Sequence, residues 1–441
     1  MIVKNADATL AGCLESVRGI ADEVVIADTG STDRSHEVAG RFGAKVIHIP
    51  WEDDFAKARN ASLAEVRSDW VLCLDADELL DESARGLLHS HLRAQHVMVY
   101  SVQIRNYVLD PNSHLWDQDA RPNNTAPAFA QHFPAYVEHS NLRLFRRHPD
   151  LYFEGCVHET VAFRAEQLGI KVGNAEFVIH HLGFARDDQE TLARKAIHYR
   201  ELGRKKVLAM PENAMAHFEL GIEEFQRFGN FPDAVGLFKR ATELDPRLGV
   251  AWYFYGKSLG QLGQHREALQ ALERAAETDG RKEKVYEAQG DMHYNLGELE
   301  EARSRYRQVL DLTGGNPEAG SKLGLAEVRM GQTREGLDRI RQAVNDAQKS
   351  TAIHDRLVTA CAWLGDFAAA AEAAEDKLGM SDPRPEFFLR AASLRAQTQD
   401  WARTAALLQQ GLDLFPKNEK LQQAAAEASA ASNKRTCASY T

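Results

Sequence analysis

Two carboxylates one residue apart, Asp75 and Asp77, are the residues of this sequence best suited to chemistry. They follow residues 70–74, an apolar run with the composition of a buried strand. Open parallel sheets bind ligands at the carboxyl edge of their strands. Carboxylate oxygens suit Mg2+ or Mn2+, and substrate phosphates can complete the coordination. The pair therefore predicts a divalent-cation site and chemistry on a nucleotide diphosphate.

The elements around this pair alternate between strand and helix patterns. Short apolar runs at 24–28, 45–49 and 70–75 predict buried strands, with helical spacing between them. This β-α-β repetition predicts a parallel sheet whose first strand is very short, because only residues 1–3 precede Lys4. Further strands are expected at 97–104, 142–146 and 177–181, with a loop over a cleft at 111–134 and a bridging helix at 187–210.

From about residue 214 the sequence repeats with a period of 34 residues. One column of mostly small residues and one of mostly large residues recur, as where paired helices cross and pack. The columns hold Gly221, Gly256, Gly290, Gly324, Val358 and Ala392, and Phe238, Leu272, Tyr306, Ile340, Ala374 and Leu408. The pattern resembles tetratricopeptide repeats. It predicts six helix pairs over 214–416, then a capping helix and a disordered tail within 417–441.

Composition excludes several classes of protein. The formal net charge of -11 argues against non-specific nucleic-acid binding. Five scattered cysteines without CxxC spacing argue against a disulfide framework or zinc site, and favour a reducing compartment. No apolar run approaches 18 residues and no signal peptide is recognisable, so we expect a cytoplasmic protein without an integral membrane segment.

Six motifs in fixed order characterise the N-terminal part. They are MIVKN at 1–5, DTGSTD at 28–33, FAKARN at 55–60, DAD at 75–77, FEGCVHE at 153–159 and HLGF at 181–184. The set resembles family 2 glycosyltransferases, in particular a bacterial subgroup often fused to tetratricopeptide repeats. The resemblance implies an α/β GT-A (Rossmann-like) nucleotide-sugar domain at 1–185, a helical linker at 186–213 and an all-α solenoid.

The same resemblance implies a nucleotide site formed by Val3, Asn5, Asp28, Arg59 and Asp75. Asp28 would accept a hydrogen bond from the nucleobase. A dinucleotide-binding fold is the rival, but it needs G-x-G-x-x-G after the first strand, which this chain lacks. Asp28 alone could instead shape a turn, and Arg59 could be an exposed helix arginine.

For the cation, the resemblance implies direct binding by Asp77, contact through Asp75, and His181 as a third ligand. Acids in a first helical turn are the alternative for the aspartates. The adjacent His180 competes with His181 for the ligand role. In a motif-independent view a lone histidine is more often structural, so both interpretations of His181 stay open at this stage.

Glu159 matches the family position of the general base that removes a proton from the acceptor. Glu154 and His158 compete for that role, because reach to the acceptor decides it. A surface glutamate beginning a helix is the structural alternative. One departure from the family pattern is Ala6, which stands where a glutamate is usual.

Together these motifs imply a metal-dependent, inverting glycosyltransferase with a nucleotide-sugar donor, most simply UDP-linked glucose or N-acetylglucosamine. A peptide, protein or glycan acceptor would lie in the repeat groove and against the loop around Trp116. The alternatives are a non-enzymatic tetratricopeptide adaptor with a degenerate transferase domain, and a nucleotidyltransferase. The latter is disfavoured because no glycine-rich basic loop follows the first strand.

Overall fold

The computed structural model describes residues 1–94, 96–110, 113–115, 118–124, 127–183, 189–348, 350–380 and 383–438. The chain divides into two compact units, Met1–Leu244 and Asp245–Thr441. Trp116 and Phe184 lie outside the described residues. The domain boundaries expected from the sequence stay predictions.

A parallel three-stranded sheet opens the first unit. Its strands are β1 (Ile2–Val3), β2 (Val25–Asp28) and β3 (Lys45–His48), in the order β1-β2-β3. The helices of this region are α1 (Leu10–Ser16), α2 (Ser35–Arg41) and α3 (Phe55–Ala64). Val3, Leu10, Leu14, Ile26 and Ala39 form one buried cluster between sheet and helices. This apolar face fixes the edge at which β2 and β3 end.

A mixed sheet follows in the order β4-β10-β6-β11-β5, with β9 beside β10. Only β6 and β11 run parallel to each other along that order. The elements of this part are β4 (Trp70–Leu72), β5 (Glu78–Leu80), α4 (Ala84–Arg93), β6 (Val99–Val108), β7 (His114–Leu115), β8 (Gln118–Asp119), β9 (Arg121–Pro122), β10 (Ala135–Arg146), α5 (Ala162–Gln167) and β11 (Val172–His181).

The prediction that residues 70–75 extend the parallel sheet is wrong. β4 ends at Leu72 and pairs antiparallel with β10, Leu72 lying opposite Leu144. Within the described residues β1 pairs only with β2, because it is two residues long. A cleft of about 500 Å3, bordered by Val25, Leu72 and Arg59 among others, lies where a longer first strand would join the two sheets.

Helices form the rest of the described chain. They are α6 (Gln189–Ala209), α7 (Ala214–Ile222) with a π-helical turn at Glu223–Arg227, α8 (Phe231–Leu244), α9 (Gly249–Gln261), α10 (His265–Thr278), α11 (Lys282–Leu296), α12 (Leu299–Thr313), α13 (Pro317–Arg329), α14 (Thr333–Asp346), α15 (Thr351–Trp363), α16 (Phe367–Asp376), α17 (Pro385–Gln397), α18 (Trp401–Leu414) and α19 (Glu419–Ala438). The predicted fold class, an α/β domain followed by a helical repeat array, is confirmed. None of the described helices combines the length and apolar composition that a bilayer-spanning helix needs.

The two repeat columns meet inside the helix pairs. A Cβ atom at the small-column glycines would lie 2.5–2.7 Å from the large-column side chain of the same pair, closer than real Cβ contacts. The pairs are Gly221 with Phe238 (2.6 Å), Gly256 with Leu272 (2.7 Å), Gly290 with Tyr306 (2.5 Å) and Gly324 with Ile340 (2.7 Å). Where the small column changes to Val358, its partner is Ala374, and both are buried in one cluster. The helices of each pair therefore cross almost at backbone contact.

Candidate active site

Backbone and side-chain bonds fix the turn that carries the two aspartates. The N–H of Cys73 donates to the carbonyl of Arg143 (2.8 Å), which anchors the turn to β10. The N–H of Asp75 donates to the Glu78 carboxylate at 2.8 Å, and the N–H of Glu78 donates to the Asp75 carbonyl at 3.1 Å. Since Glu78 is 1% exposed, Asp75 and Asp77 occupy set positions without any ligand.

Two buried arginines engage both carboxylate oxygens of Asp75. Arg59 Nη2 donates to Oδ1 at 2.7 Å, and Arg143 Nη2 donates to Oδ2 at 3.1 Å and to Glu78 Oε1 at 2.9 Å. Burial opposes ionisation of Asp75, but the two guanidinium groups outweigh it and hold the pKa of its carboxyl well below its usual range. Burial conversely raises the pKa of Glu78. The Asp75 contacts with nucleotide and cation stay predictions.

Asp77 lies against His181 at the end of β11. Asp77 Oδ2 and His181 Nε2 are 3.3 Å apart, and His181 Nδ1 lies 2.8 Å from Oδ1 of the fully buried Asn106. Donation from Nδ1 to Asn106 sets the ring orientation and directs Nε2 to Asp77. Burial lowers the pKa of His181 and the Asp77 carboxylate raises it by more, so the net shift is upward. A cation between the two groups would replace the shared proton.

Gly183 explains why a glycine follows His181 in the HLG motif. A Cβ atom at Gly183 would lie 2.3 Å from Asp77 Oδ2 and 2.7 Å from His181 Nε2. Any larger residue would therefore occupy the space between the carboxylate and the imidazole. The adjacent His180 has a different environment, because it contacts Tyr107 (2.9 Å) and Asp81 (3.1 Å).

The predicted nucleobase residues converge at the end of β2. Asp28, which is 3% exposed, accepts from the N–H groups of Gly30 and Ser31 at 3.2 Å. Burial raises the pKa of its carboxyl, but the hydrogen bonds at Ser31 and Gly30 lower it by more. Asn5 Oδ1 accepts from the Thr32 N–H at 2.8 Å, which ties the MIVKN segment to the same turn. Asp28 thus shapes this turn, and its contact with a nucleobase stays a prediction.

The Val3 carbonyl also belongs to this turn. It accepts from the N–H of Thr29 at 3.0 Å and from the Thr29 hydroxyl at 3.2 Å. Val3, Asn5 and Asp28 are therefore brought together by direct bonds between β1 and the residues after β2. The role of Val3 in nucleotide binding stays a prediction.

Glu159 is 12% exposed at its side chain and forms an ion pair with Arg59. Arg59 Nε donates to Glu159 Oε1 at 2.6 Å, while the Nη2 of the same guanidinium contacts Asp75. Asn60 supports the base of this segment, because its side chain exchanges two 2.9 Å hydrogen bonds with the backbone of Phe153. Arg59 is therefore a buried bridge between Glu159 and Asp75, and the exposed-arginine alternative is wrong.

A buried lysine holds the same segment from the other side. Lys206, on α6, is 1% exposed and donates to the Val157 carbonyl at 2.9 Å and to Glu219 at 2.6 Å. The positive φ of Gly155 (99°) and His158 (50°) gives this segment its tight course. A Cβ atom at Gly155 would lie 2.8 Å from Lys206 Nζ. The FEGCVHE motif is thus shaped by its contacts with α6.

Sequence reasoning missed Arg143, Glu78 and Lys206. Arg143 had a usable signal, since a charged residue inside the apolar run 142–145 needs a buried partner. Glu78 was assigned to the acidic continuation of the turn, and nothing in the local pattern marked Lys206 among the other basic residues of α6.

Comparison with known families decides the class of this domain. The model for Glycosyl transferase family 2 matches residues 1–151, and the tetratricopeptide repeat model matches 222–280 and 255–317. The chain carries a family 2 glycosyltransferase domain followed by tetratricopeptide repeats. Within the glycosyltransferase domain, the first match includes Asp28, Arg59, Asp75 and Asp77, while Glu159 lies beyond it.

Curated relatives share parts of this architecture. The chain is 34% identical over 194 residues to a TPR repeat-containing protein of Synechococcus elongatus, covering 42% of each chain. It is 33% identical over 130 residues to an uncharacterized glycosyltransferase of Rickettsia bellii, covering 29% of this chain and 41% of that one. It is 24% identical over 161 residues to the prophage-derived glycosyltransferase SunS of Bacillus subtilis, covering 36% and 33%. The chain spans less than half the length of these relatives.

Proposed function

We propose that the glycosyltransferase domain transfers a sugar from a nucleotide sugar, most simply a UDP-linked hexose or N-acetylhexosamine, to an acceptor held by the repeats. The observation that carries this proposal is the convergence of Asp77, His181 and Gly183 beside the ion pairs of Asp75, in a domain matched by family 2. The repeats supply a groove of the kind that holds peptides or proteins. A peptide or protein is the acceptor class we propose.

The pair of Asp77 and His181 fits a divalent cation. Two ligands at about 2.1 Å on adjacent octahedral positions lie about 3.0 Å apart, and the carboxylate and imidazole atoms are separated by 3.3 Å. Oxygen ligands and one imidazole suit Mg2+ or Mn2+. When bound, such an ion neutralises charge on the departing nucleoside diphosphate. Gly183 leaves the space that the ion requires.

The donor would lie between the turn after β2 and the turn after β4. Asp28 accepts a hydrogen bond from the nucleobase, since its lowered pKa keeps it ionised. Val3 and Asn5 hold that turn against β1. Arg59 places positive charge beside the phosphates while it keeps Asp75 ionised.

Glu159 is the proposed base. Its Oε1 is used by the ion pair with Arg59, so Oε2 takes the proton of the acceptor nucleophile. The acceptor then forms a bond to the anomeric carbon as the bond to the nucleoside diphosphate breaks. One displacement of this kind inverts the configuration of that carbon.

Glu159→Gln should retain donor binding and lose transfer. The amide cannot accept the proton, and general-base catalysis contributes about 100- to 10,000-fold. Sugar transfer from a panel of UDP-sugars to an identified acceptor, together with calorimetric UDP affinity, checks this. Loss of UDP affinity instead would assign Glu159 a binding role through Arg59.

Asp77→Ala tests the proposed function directly. UDP is titrated calorimetrically into the wild-type chain with Mn2+ and with EDTA. Metal-dependent binding in the wild type and its loss in Asp77→Ala are expected, because the variant lacks the solvent-accessible carboxylate of the cation site. Glu82→Ala, which removes an exposed carboxylate a few residues away, is the matched control and should bind as the wild type does.

Two outcomes contradict the proposal. Equal UDP binding by the wild type and Asp77→Ala would remove the cation from Asp77. Absence of binding by UDP, GDP and other nucleotides in the wild type would instead favour the tetratricopeptide adaptor with a degenerate transferase domain.

A further inference from the structure

Two histidines approach the buried carboxylate of Asp28, away from the Asp77 pair. His36 Nε2 lies 3.3 Å from Asp28 Oδ2, and His48 Nδ1 lies 3.5 Å from the same oxygen. One ligand atom from each of the three residues lies within 4.8 Å of the other two. The two imidazole rings have centroids 4.7 Å apart. Three groups able to bind a metal therefore surround one point.

The β-α-β topology produces this cluster. Asp28 and His48 end the neighbouring parallel strands β2 and β3, and they are direct partners in the strand register. His36 is the second residue of α2, the helix that connects those two strands. Strand register and crossover thus set all three ligands at the carboxyl edge of the sheet.

The cluster is held in place and open to solvent. The N–H groups of Gly30 and Ser31 fix the Asp28 carboxylate, an arrangement of outer-shell bonds typical of built metal sites. The Asp28 side chain is 3% exposed, whereas those of His36 and His48 are 37% and 68% exposed. An ion could enter from solvent and keep a water molecule as its fourth ligand.

The donor set selects zinc-like ions. Imidazole nitrogens bind Zn2+ at about 2.0–2.1 Å and carboxylate oxygens at about 2.0–2.2 Å, so ligand atoms on a tetrahedral ion lie about 3.3 Å apart. The two separations from Asp28 Oδ2 are 3.3 and 3.5 Å. Mg2+ prefers an all-oxygen shell, so two imidazoles disfavour it here. The sequence argued against zinc on its cysteines, and this set contains none.

We propose that Asp28, His36 and His48 bind one Zn2+ ion, and that this ion excludes the donor nucleobase from Asp28. The first part stands on the geometry of the three side chains. The second part rests on the proposed function, in which Asp28 accepts a hydrogen bond from the nucleobase. Because both ligands need the same carboxylate, each weakens the binding of the other by the same factor.

Calorimetric titration of Zn2+ without nucleotide tests the site. It is done in the Asp77→Ala background, which removes the other candidate cation site. His36→Ala/His48→Ala should lower Zn2+ affinity at least about tenfold, since loss of outer-shell groups alone costs about 10- to 100-fold. His89→Ala, which removes an exposed histidine from α4, should leave the affinity unchanged. Equal affinity in the double histidine variant and its parent overturns the site.

Cobalt provides an independent readout of the same geometry. Co2+ in a four-coordinate site absorbs visible light much more strongly than aqueous Co2+. The Asp77→Ala chain should develop this absorption, and the double histidine variant should not. Visible spectra that are the same for both chains contradict the proposal.

Competition tests the second part with Asp77 intact. UDP is titrated in saturating Mg2+, with free Zn2+ absent or at ten times its measured Kd. Zn2+ should raise the apparent Kd of UDP about elevenfold in the wild type and not in His36→Ala/His48→Ala. Chelation of Zn2+ by UDP in solution is common to both titrations, so their difference reports the site.

The two parts fail separately. Zn2+ binding without any effect on UDP overturns the exclusion of the nucleobase. Zn2+ binding in a chain that binds no nucleotide under any condition leaves the metal site standing and overturns the proposed function.

Discussion

Asp75 and Asp77 have similar exposure, 35% and 34% of their side chains, but different partners. Asp75 is shared by two buried guanidinium groups, whereas Asp77 contacts one imidazole. Removing Asp75 would leave buried cations short of a partner, which costs stability as well as chemistry. Variants at Asp77 therefore separate cation binding from folding better than variants at Asp75.

Gly183→Ala is the sharpest residue-level test of the cation site. The added methyl group would lie 2.3 Å from Asp77 Oδ2, so the carboxylate must move. We expect Mn2+-dependent UDP affinity to fall at least about tenfold, the lower end of outer-shell effects at metal sites, with circular dichroism unchanged. Gly86→Ala, on α4 with open space at its Cβ, is the control. Wild-type affinity in Gly183→Ala would move the cation elsewhere.

Sequence reasoning located the residues of the site better than the contacts between them. Motif order named Asp28, Asp77 and Glu159, each of which the fold places at a turn or loop beside another named residue. It did not reveal that Arg59 pairs with Glu159, a contact across 100 positions of the chain. Such contacts depend on strand order, which local patterns do not encode.

At the scale of elements, the helix pairs are matched in volume where they cross. Glycine faces Phe238 or Tyr306, while Val358 faces Ala374. A larger residue on one helix is accompanied by a smaller one on the other, as close-packed interiors require. This rule was visible in the sequence because each repeat contacts its neighbours at a constant offset.

Gly290→Ala should destabilise the second unit by about 1–3 kcal/mol, the usual cost of overpacking. The new Cβ would lie 2.5 Å from the Tyr306 ring. Gly320→Ala is the matched control, because it lies in α13 with open space at its Cβ. It should stabilise by roughly 0.5–1 kcal/mol through helix propensity. Urea denaturation followed by circular dichroism measures both, and equal effects would contradict the close crossing.

Strand pairing was the element-level feature that sequence patterns could not supply. The run 70–74 looked like one more parallel strand, yet β4 pairs with residues more than 70 positions later in the chain. An apolar strand of three residues carries no information about the direction of its partner. Helical repeats escape this difficulty because their partners are adjacent in sequence.

At the scale of the whole molecule, the chain combines two kinds of core. One buried cluster of the first unit includes Val102 and Ile179, and one of the second unit includes Phe388 and Leu421; the two share no residue. Proteins with several units unfold in more than one step, so each unit has its own stability.

Lesions in the two units should therefore act independently. Gly290→Ala should leave the Mn2+-dependent Kd of UDP unchanged, and Asp77→Ala should leave the unfolding of the repeats unchanged. In the double variant the two effects should add, as for distant sites without shared partners. Calorimetry and urea denaturation on the four chains measure this. A change of more than about threefold, or roughly 0.6 kcal/mol, in UDP affinity of Gly290→Ala would show that the units are coupled.

The matched crossings also limit how this array can evolve. If recombination exchanged single helices between repeats, Val358 could meet a partner the size of Tyr306, which the existing glycine at 290 only just accommodates. Duplication or loss of a complete helix pair keeps each small residue with its own partner. The array should therefore lengthen or shorten in whole pairs, while exchange of half a repeat is selected against.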